Sequence, residues 1–205
     1  MIGLIVGAAP IKNEKSELLE YLNNPKVIKI AADGGINSYI EAGVMPDLFM
    51  GDMDSSTYSI DAVRSYFPDI NIETCSPIKD ASDMEMAIDI LFNKGCTEVI
   101  AFGGIGGDRF EHNIANIQVA NGYARNKKKI TFVGDNSRLY VITSGDSISF
   151  NQEKTGKISV FSLDGIAKNV KIEGLCLLML TANRKNAKIR PQTESGFKGH
   201  FRRSG

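Results

Sequence analysis

Two aspartates separated by a single residue, Asp52 and Asp54, follow the apolar run at residues 48–50. In extended backbone, residues two apart point the same way, so both carboxylates can face one cation. Two like charges held so close are costly unless positive charge lies between them. A solvated acidic turn is the alternative, because Asp-x-Asp-Ser also suits turns. The apolar residues upstream favour a loop that leaves the core, and carboxylate oxygens favour a hard cation such as Mg²⁺.

A second acidic group surrounds the start of a predicted helix at residue 83. Ser82 and Glu85 have the spacing of a capping box, and Asp83 in the first helical turn is favoured by the helix dipole. A structural role is sufficient for these three residues. Capping does not explain Lys79 and Asp80. A lysine beside a carboxylate at a strand end suits phosphate contact together with metal ligation, whereas an ordinary surface ion pair is the alternative.

A glycine-rich loop precedes the longest predicted helix and reads Gly-Gly-Ile-Gly-Gly-Asp-Arg-Phe-Glu-His-Asn over residues 103–113. Four glycines ahead of a helix N-terminus predict an anion cradle, in which Gly104 and Gly107 approach phosphate. Arg109 adds a bidentate donor for phosphate oxygens. The loop is neither a Walker A sequence nor a regular G-x-G-x-x-G, so glycine alone indicates little. His112 suits a polar contact to a nucleotide, although a structural histidine is the commoner case.

The remaining chemical segment is Asp33-Gly34-Gly35, which directly follows a predicted strand at residues 27–31. The two glycines allow backbone to approach a ligand closely, and Asp33 stands at the mouth of the strand. The alternative is a helix N-cap in which Asp33 accepts backbone N–H bonds.

Strands and helices alternate through residue 134, and this pattern predicts a mostly parallel sheet with helices on both faces. In such sheets ligands bind outside the carboxyl ends of the strands, and each of the four segments follows a predicted strand. After residue 134 the helical pattern stops and β-rich runs predict a small antiparallel domain. We therefore predict an α/β domain over 1–134 and an all-β, sandwich-like domain over 135–205. The predicted strands are 2–6, 27–32, 47–50, 70–74, 98–102 and 130–133, and the predicted helices are 16–23, 36–42, 59–66, 83–93 and 112–126.

Composition is that of a soluble globular protein, with 205 residues, 42% of them hydrophobic and 23% charged. Cys75, Cys96 and Cys176 are far apart and form no Cys-x-x-Cys pair, which favours reduced thiols over a disulfide framework. No apolar run approaches the roughly 20 residues of a membrane span. Residues 1–7 lack the basic start of a signal peptide. We expect a cytoplasmic protein with no membrane partner.

Charge is distributed unevenly along the chain. Residues 184–203 hold seven of the 24 Lys and Arg residues and one of the 24 acidic residues, which leaves 17 basic and 23 acidic residues elsewhere. An acidic body argues against a nucleic-acid-binding face on the main domain. The basic end is either a divergent tail or the result of a change of reading frame near residue 181.

In order and spacing, the four segments together resemble the thiamine pyrophosphokinase family. They read A-D-G-G-I-N-S-Y, P-D-L-F-M-G-D-M-D-S, K-D-A-S-D-M-E-M-A and G-G-I-G-G-D-R-F-E-H-N-I-A-N. The resemblance spans residues 1 to about 180. It implies an α/β domain for ATP and Mg²⁺ followed by a β-sandwich-like domain. It also implies a homodimer that binds thiamine near the interface between one subunit's α/β domain and the other's β domain.

The resemblance also implies roles for individual residues. Asp52, Asp54 and one or both of Asp80 and Asp83 would hold Mg²⁺. The nucleotide and phosphate pocket would be lined by Asp33, Gly34, Gly35, Lys79, Gly104, Gly107, Arg109, His112 and Asn116. Two departures stand out: Asp108 and Glu111 replace a glycine and an aspartate of the family's Gly-Arg-x-Asp-His pattern, and residues 184–205 lack its Ser-Asn-containing loop.

The reaction expected from these residues is attack of the thiamine hydroxyl on the β-phosphorus of ATP, with Asp52, Asp54, Asp80, Asp83 and Arg109 as the catalytic group. Phosphoryl transfer needs positioning and charge neutralisation more than covalent help from the protein. Three alternatives stay open: a pyrophosphokinase for another heterocyclic alcohol such as a hydroxymethylpterin, a non-catalytic nucleotide-binding module, and a metal-dependent phosphohydrolase.

Overall fold

The computed structural model describes the chain in two units, Met1–Val141 and Ile142–Gly205. The first unit is built on a sheet of seven strands in the order β4-β3-β2-β1-β5-β6-β7. The described residues are 1–51, 56–74, 81–150, 157–165, 167–173, 179–180, 188–190 and 199–203. The strands of the first unit are β1 Ile2–Val6, β2 Val27–Ala32, β3 Leu48–Gly51, β4 Ile72–Thr74, β5 Glu98–Phe102, β6 Lys129–Gly134 and β7 Ser137–Tyr140.

The six strands from β1 to β6 are parallel to one another, and apolar residues fill their interiors. Strands buried on both faces read as continuous apolar runs, because helices cover the sheet on each side. The helices that cover it are α1 Lys15–Leu22, α2 Ile36–Ala42, α3 Ile60–Tyr66, α4 Asp83–Asn93 and α5 Phe110–Arg125. The prediction of an α/β domain with a mostly parallel sheet is confirmed.

The helices divide between the two faces of the sheet. Leu18 of α1, Tyr39 of α2 and Val63 of α3 belong to one buried cluster. Leu91 of α4 and Ala120 of α5 belong to the other. The division follows from strand order, because the chain winds from β1 to β4 in one direction and then crosses to β5 on the other side of β1. Right-handed crossovers place helices on opposite faces when the direction reverses.

A short hairpin ends the first unit. Strand β7 pairs antiparallel with β6, and Gly134 lies opposite Ser137. The turn between them, Asp135-Asn136, has Asn136 at φ 61, a left-handed conformation that asparagine tolerates. The sequence analysis ended the first domain at residue 134, whereas this strand carries the first unit to Val141.

Every described element of the second unit is a strand: β8 Ser147–Phe150, β9 Ser159–Val160, β10 Val170–Glu173, β11 Met179–Leu180, β12 Lys188–Arg190 and β13 Gly199–Arg203. Four of them form a sheet in the order β12-β10-β13-β8, and β11 pairs with β9. The β10–β12 and β9–β11 pairs are parallel, so these pairings differ from the antiparallel arrangement expected. Part of the basic end lies in strands β12 and β13. Among the described residues, the helices lack the length and apolar character that crossing a bilayer demands.

Candidate functional site

The carboxyl ends of six parallel strands form one edge of the first sheet, and the four predicted segments follow β2, β3, β4 and β5 at this edge. Register brings the strand ends together: Val6 of β1 lies between Ala31 and Phe102, and Gly51 lies opposite Thr74. Four of the predicted site residues lie outside the described residues: Asp52, Asp54, Lys79 and Asp80. Asp33, Asp83 and the glycine-rich loop are described.

Asp33 lies against the last residue of β3. A Cβ added to Gly51 would lie 2.0 Å from Asp33 Oδ1, and this carboxylate oxygen is buried. Gly51 also has φ +144, a conformation that L side chains rarely adopt. The absence of a side chain at Gly51 therefore lets Asp33 reach the residue that directly precedes Asp52. Asp33 itself has a positive φ of 49, which aspartate tolerates better than most residues.

The two glycines after Asp33 serve different purposes. A Cβ on Gly35 would lie 1.8 Å from Val6 O, so the turn packs directly onto the end of β1. Gly35 therefore makes room for protein backbone, where the sequence analysis expected room for a ligand. Gly34 is buried and lines a cavity of about 350 Å³.

That cavity lies between α1 and α2 at the carboxyl ends of β1 and β2. Its apolar wall includes Leu18, Leu19 and Leu22, and its polar rim includes Lys12 and Lys15. Lys15 Nζ is 2.9 Å from Glu41 Oε2, an exposed ion pair. Exposed pairs of this kind contribute little to stability. The cavity adjoins the edge that carries Asp33 but was not predicted from the sequence.

The glycine-rich loop packs tightly at its start and is open further on. A Cβ on Gly103 would lie 2.7 Å from Gly7 O and from Ala9 O, and one on Gly104 would lie 2.6 Å from the ring of Phe132. Gly106 has φ +96 with no atom within 4 Å of an added Cβ. The first two glycines thus let the loop settle onto β1 and β6. Of the four glycines, Gly106 is the one with open space beside it, because a Cβ on Gly107 would make an ordinary contact with Ala9 Cβ at 3.4 Å.

Two asparagines of α5 hold this loop in place. Gly106 N donates to Asn113 Oδ1 at 2.7 Å, and Asn113 Nδ2 donates to Arg109 O at 3.2 Å. Asn116, which is buried, donates from Nδ2 to Gly104 O at 2.5 Å. Asn116 was predicted to line the nucleotide pocket, and the structure places its amide beneath the loop. Asn113 was missed, although the spacing of two asparagines on one helical face just after the glycines is a signal of such a role.

The charged residues that follow the loop are exposed. Arg109 Nε donates to Glu111 Oε1 at 2.8 Å, and the two side chains are 63% and 66% exposed. This hydrogen bond lowers the pKa of Glu111 below its usual range. Glu111 occupies one donor of the guanidinium, which has two further amino groups for an anion. His112 is exposed as well.

Helix α4 begins as predicted. Ser82 Oγ accepts a hydrogen bond from Glu85 N at 3.2 Å, which confirms the N-cap. Asp83 stands in the first turn and is half-buried. An acid in this position is stabilised by the positive end of the helix dipole.

The loop between β1 and α1 is a part of this edge that the sequence analysis missed. Lys12 N and Asn13 N both donate to Asp135 Oδ1, at 3.1 and 2.8 Å, and Asn13 Nδ2 donates to Asn136 Oδ1 at 2.9 Å. These bonds, chiefly the one from Asn13 N, lower the pKa of Asp135. The loop is thereby fastened across the ends of β5 and β6 to the β6–β7 turn. Its partners are more than 120 residues apart in the chain.

The carboxylate side chains at this edge are ligands of the type that suits a hard cation. Carboxylates are the oxygen ligands that Mg²⁺ uses in proteins, and Asp33 Oδ1 reaches the residue before Asp52. Within the described residues, which omit 52–55 and 75–80, no group of three His, Cys, Asp or Glu side chains gathers around one point.

Known proteins resemble this chain in both sequence and fold. A thiamine pyrophosphokinase from Bacillus subtilis is 26% identical over 143 residues, which cover 69% of this chain and 64% of that protein. The matched region thus spans less than two thirds of the relative's length. A crystal structure of a thiamin pyrophosphokinase from Geobacillus thermodenitrificans is 25% identical with a TM-score of 0.59, covering 75% of this chain and 68% of that one. The Bacillus subtilis crystal structure is 18% identical with a TM-score of 0.73, covering 98% and 93%, and shows the shared fold.

A family model supplies the wider comparison. The model described as the thiamin pyrophosphokinase catalytic domain matches residues 19–132, more than half of the chain. The matched range contains all four segments singled out from the sequence, and the resemblance inferred from them is confirmed. The chain therefore belongs to the thiamin pyrophosphokinase catalytic domain family.

Proposed function

We propose that the protein is a thiamine pyrophosphokinase that transfers the pyrophosphoryl group of ATP to the hydroxyl of thiamine, giving thiamine diphosphate and AMP. The observation that carries the proposal is the family match over residues 19–132. The fold supports it, because the four motif segments follow β2, β3, β4 and β5, which are parallel strands of one sheet. Sites in open α/β sheets form at such edges.

The chemical step is an in-line displacement. The thiamine hydroxyl oxygen forms a bond to the β-phosphorus as the bond from that phosphorus to the α-phosphate oxygen breaks, and AMP leaves. Asp80 or Asp83 accepts the hydroxyl proton. Arg109 offsets negative charge on the departing phosphate, using guanidinium donors that Glu111 does not occupy.

We assign the remaining site residues as follows. Asp52, Asp54, Asp80 and Asp83 are the carboxylates that would hold Mg²⁺. When bound, the ion supplies positive charge to the phosphate oxygens. The nucleotide and its phosphates are bound by the residues Asp33, Gly34, Gly35, Lys79, Gly104, Gly107, Arg109, His112 and Asn116. For Gly35, Gly104 and Asn116 this contribution is indirect, since protein fills the space beside both glycines and the Asn116 amide donates to Gly104 O.

The proposal extends to the rest of the chain. We infer that the second unit forms a sandwich-like domain, that the enzyme is a homodimer in the cytoplasm, and that thiamine binds where two subunits meet. The described strands of residues 147–203 are consistent with an all-β unit.

The deciding experiment is an assay of AMP formation from ATP with thiamine, with a hydroxymethylpterin, and without an acceptor, each with and without Mg²⁺. We expect AMP only with thiamine and Mg²⁺. Asp54→Ala should abolish turnover with an unchanged circular dichroism spectrum. Asp69→Ala is the matched control, because Asp69 is an exposed aspartate in the turn between α3 and β4, at the amino end of β4 and away from the carboxyl ends of the strands. Near-normal turnover of Asp54→Ala would reject the metal assignment.

A further inference from the structure

The cavity between α1 and α2 has the size and the lining of a site for a small organic molecule. Its volume is about 350 Å³, whereas pockets for such molecules hold roughly 300–1,000 Å³ and combine apolar walls with a few polar groups. The apolar wall is formed by the three leucines of α1, which are Leu18, Leu19 and Leu22. Asn37 and Ser38 of α2 provide polar side chains on the facing helix.

The loop between β1 and α1 joins this cavity to the glycine-rich loop. Ala9 and Pro10 line the cavity, and a Cβ on Gly107 would lie 3.4 Å from Ala9 Cβ and 3.8 Å from Pro10 Cδ. Ala9 N also donates to Gly103 O at 3.2 Å. Gly106, which has open space beside its backbone, is therefore one residue from a glycine in contact with the lining of the cavity. A ligand that extends from the cavity across Ala9 and Pro10 reaches this open space.

Hydrogen bonds from another part of the sheet edge hold the same loop in place. Asp135 Oδ1 accepts from Lys12 N at 3.1 Å and from Asn13 N at 2.8 Å, and Asn13 Nδ2 donates to Asn136 Oδ1 at 2.9 Å. A wall fixed in this way has less conformational freedom to lose when a ligand binds.

The charges at the rim of the cavity favour an anionic ligand. Lys12 and Lys15 line the cavity and are exposed. Glu41 pairs with Lys15 across the gap between the helices. Two lysines against one glutamate leave the rim with a net positive charge. The cavity therefore suits a molecule with an apolar body and an anionic end, and it suits thiamine less well because thiamine is itself a cation.

We propose that this cavity receives the nucleoside end of the nucleotide substrate, while the phosphates extend across Ala9 and Pro10 toward Gly106. The assignment rests on the proposed function for the identity of the ligand. The base packs against the leucines of α1, and Asn37 and Ser38 offer it hydrogen-bonding groups. A nucleoside monophosphate has both features that the cavity requires, a flat apolar ring and a negative charge.

The first test fills the cavity. Ser38→Phe places a ring in the space assigned to the base, and titration calorimetry compares ATP with inorganic tripolyphosphate, each with Mg²⁺. We expect Ser38→Phe to bind ATP about tenfold more weakly, which is about 1.4 kcal/mol, and to bind tripolyphosphate as the unaltered protein does. Ser65→Phe is the matched control, because Ser65 is an exposed serine on α3, and its affinity for both ligands should stay the same.

The second test needs no substitution and decides the matter if Ser38→Phe fails to fold. In protein with ¹³C-labelled leucine methyl groups, the ring current of a bound base shifts the signals of the leucines packed against it. Addition of ATP or AMP should shift the signals of Leu18, Leu19 and Leu22, and tripolyphosphate should not.

Three results would overturn the proposal. These are an unchanged ATP affinity in folded Ser38→Phe, an equal loss for ATP and tripolyphosphate, and leucine shifts that appear with thiamine and not with ATP. Leucine shifts with ATP but no AMP formation from thiamine would instead reject the proposed reaction and keep the cavity as a nucleoside site. Thiamine-dependent AMP formation without leucine shifts would keep the reaction and reject the cavity.

Discussion

Gly51→Ala probes the contact between Asp33 and the end of β3. The added methyl group would lie 2.0 Å from Asp33 Oδ1 at a residue with φ +144. Two costs follow, about 1–3 kcal/mol for a side chain in this backbone region and about 1–3 kcal/mol for overpacking. We expect the free energy of unfolding to fall by about 2–6 kcal/mol in total. Activity should fall as well, because the carboxylate must move.

A double-mutant cycle separates the two costs. In an Asp33→Gly background the carboxylate is gone, and what remains is the backbone cost of Gly51→Ala and the 3.1 Å approach of its Cβ to the Cα of residue 33. The two changes should therefore couple by about 1–3 kcal/mol. Glycine suits the positive φ of 49 at this position. Asp33→Asn is the matched control, because it keeps the shape of the side chain and therefore the clash.

The assay is urea unfolding followed by circular dichroism, with the slope of the transition checked for constancy across variants. The contrary result is a Gly51→Ala cost that is the same in the Asp33→Gly background as in the unaltered protein, within about 0.5 kcal/mol. In that case the carboxylate does not lie against Gly51. A coupling of similar size with Asp33→Asn would also contradict this contact, since asparagine should not relieve the clash.

Three further predictions concern other parts of the first unit. Asn116→Ala leaves the Gly104 carbonyl without its buried partner, and should lower the free energy of unfolding by about 1–3 kcal/mol and raise the KM for ATP; an unchanged urea midpoint would contradict this. Gly122→Ala, inside α5 with open space around the added methyl, should stabilise by about 0.5–1 kcal/mol, seen as a higher melting temperature. The hydrogen bond from Asn13 N is the first cause of the lowered pKa of Asp135. Because the pKa is lower in the folded protein, ionised Asp135 stabilises the fold above the ordinary aspartate pKa of about 3.9. This stabilisation is lost as pH falls through the folded value. Between pH 5 and pH 3, the free energy of unfolding should therefore fall less in Asp135→Asn than in the unaltered protein.

The sheet of the first unit was predictable because its signals are local. Strands β1, β2 and β5 have the bounds predicted for them, since each is a run of five or six mostly apolar residues between turn residues. Helix α4 also begins and ends where predicted, because Ser82 provides a clear N-cap. Strand β7 was assigned to the second domain, because a four-residue edge strand has no pattern that says which sheet it joins.

Contacts between distant residues could not be predicted. The bonds from Lys12 and Asn13 to Asp135 depend on where the β6–β7 turn lies relative to β1. The contact between Asp33 and Gly51 depends on the register of β2 against β3. Register and strand order are set by packing across the whole sheet, and a single sequence contains no local sign of either.

Glycine in a binding motif has two physical uses, and the structure separates them. At Gly35, Gly103 and Gly104 the space that a side chain would fill is taken by protein, so these residues bring strand ends and loops close together. At Gly106 the space is open and the backbone is left-handed. Substrate phosphate can approach the loop backbone closely only where protein does not already fill the space. Of the four glycines predicted to form an anion cradle, Gly106 is therefore the one with open space beside its backbone, while Gly103 and Gly104 let the loop pack onto the ends of β1 and β6.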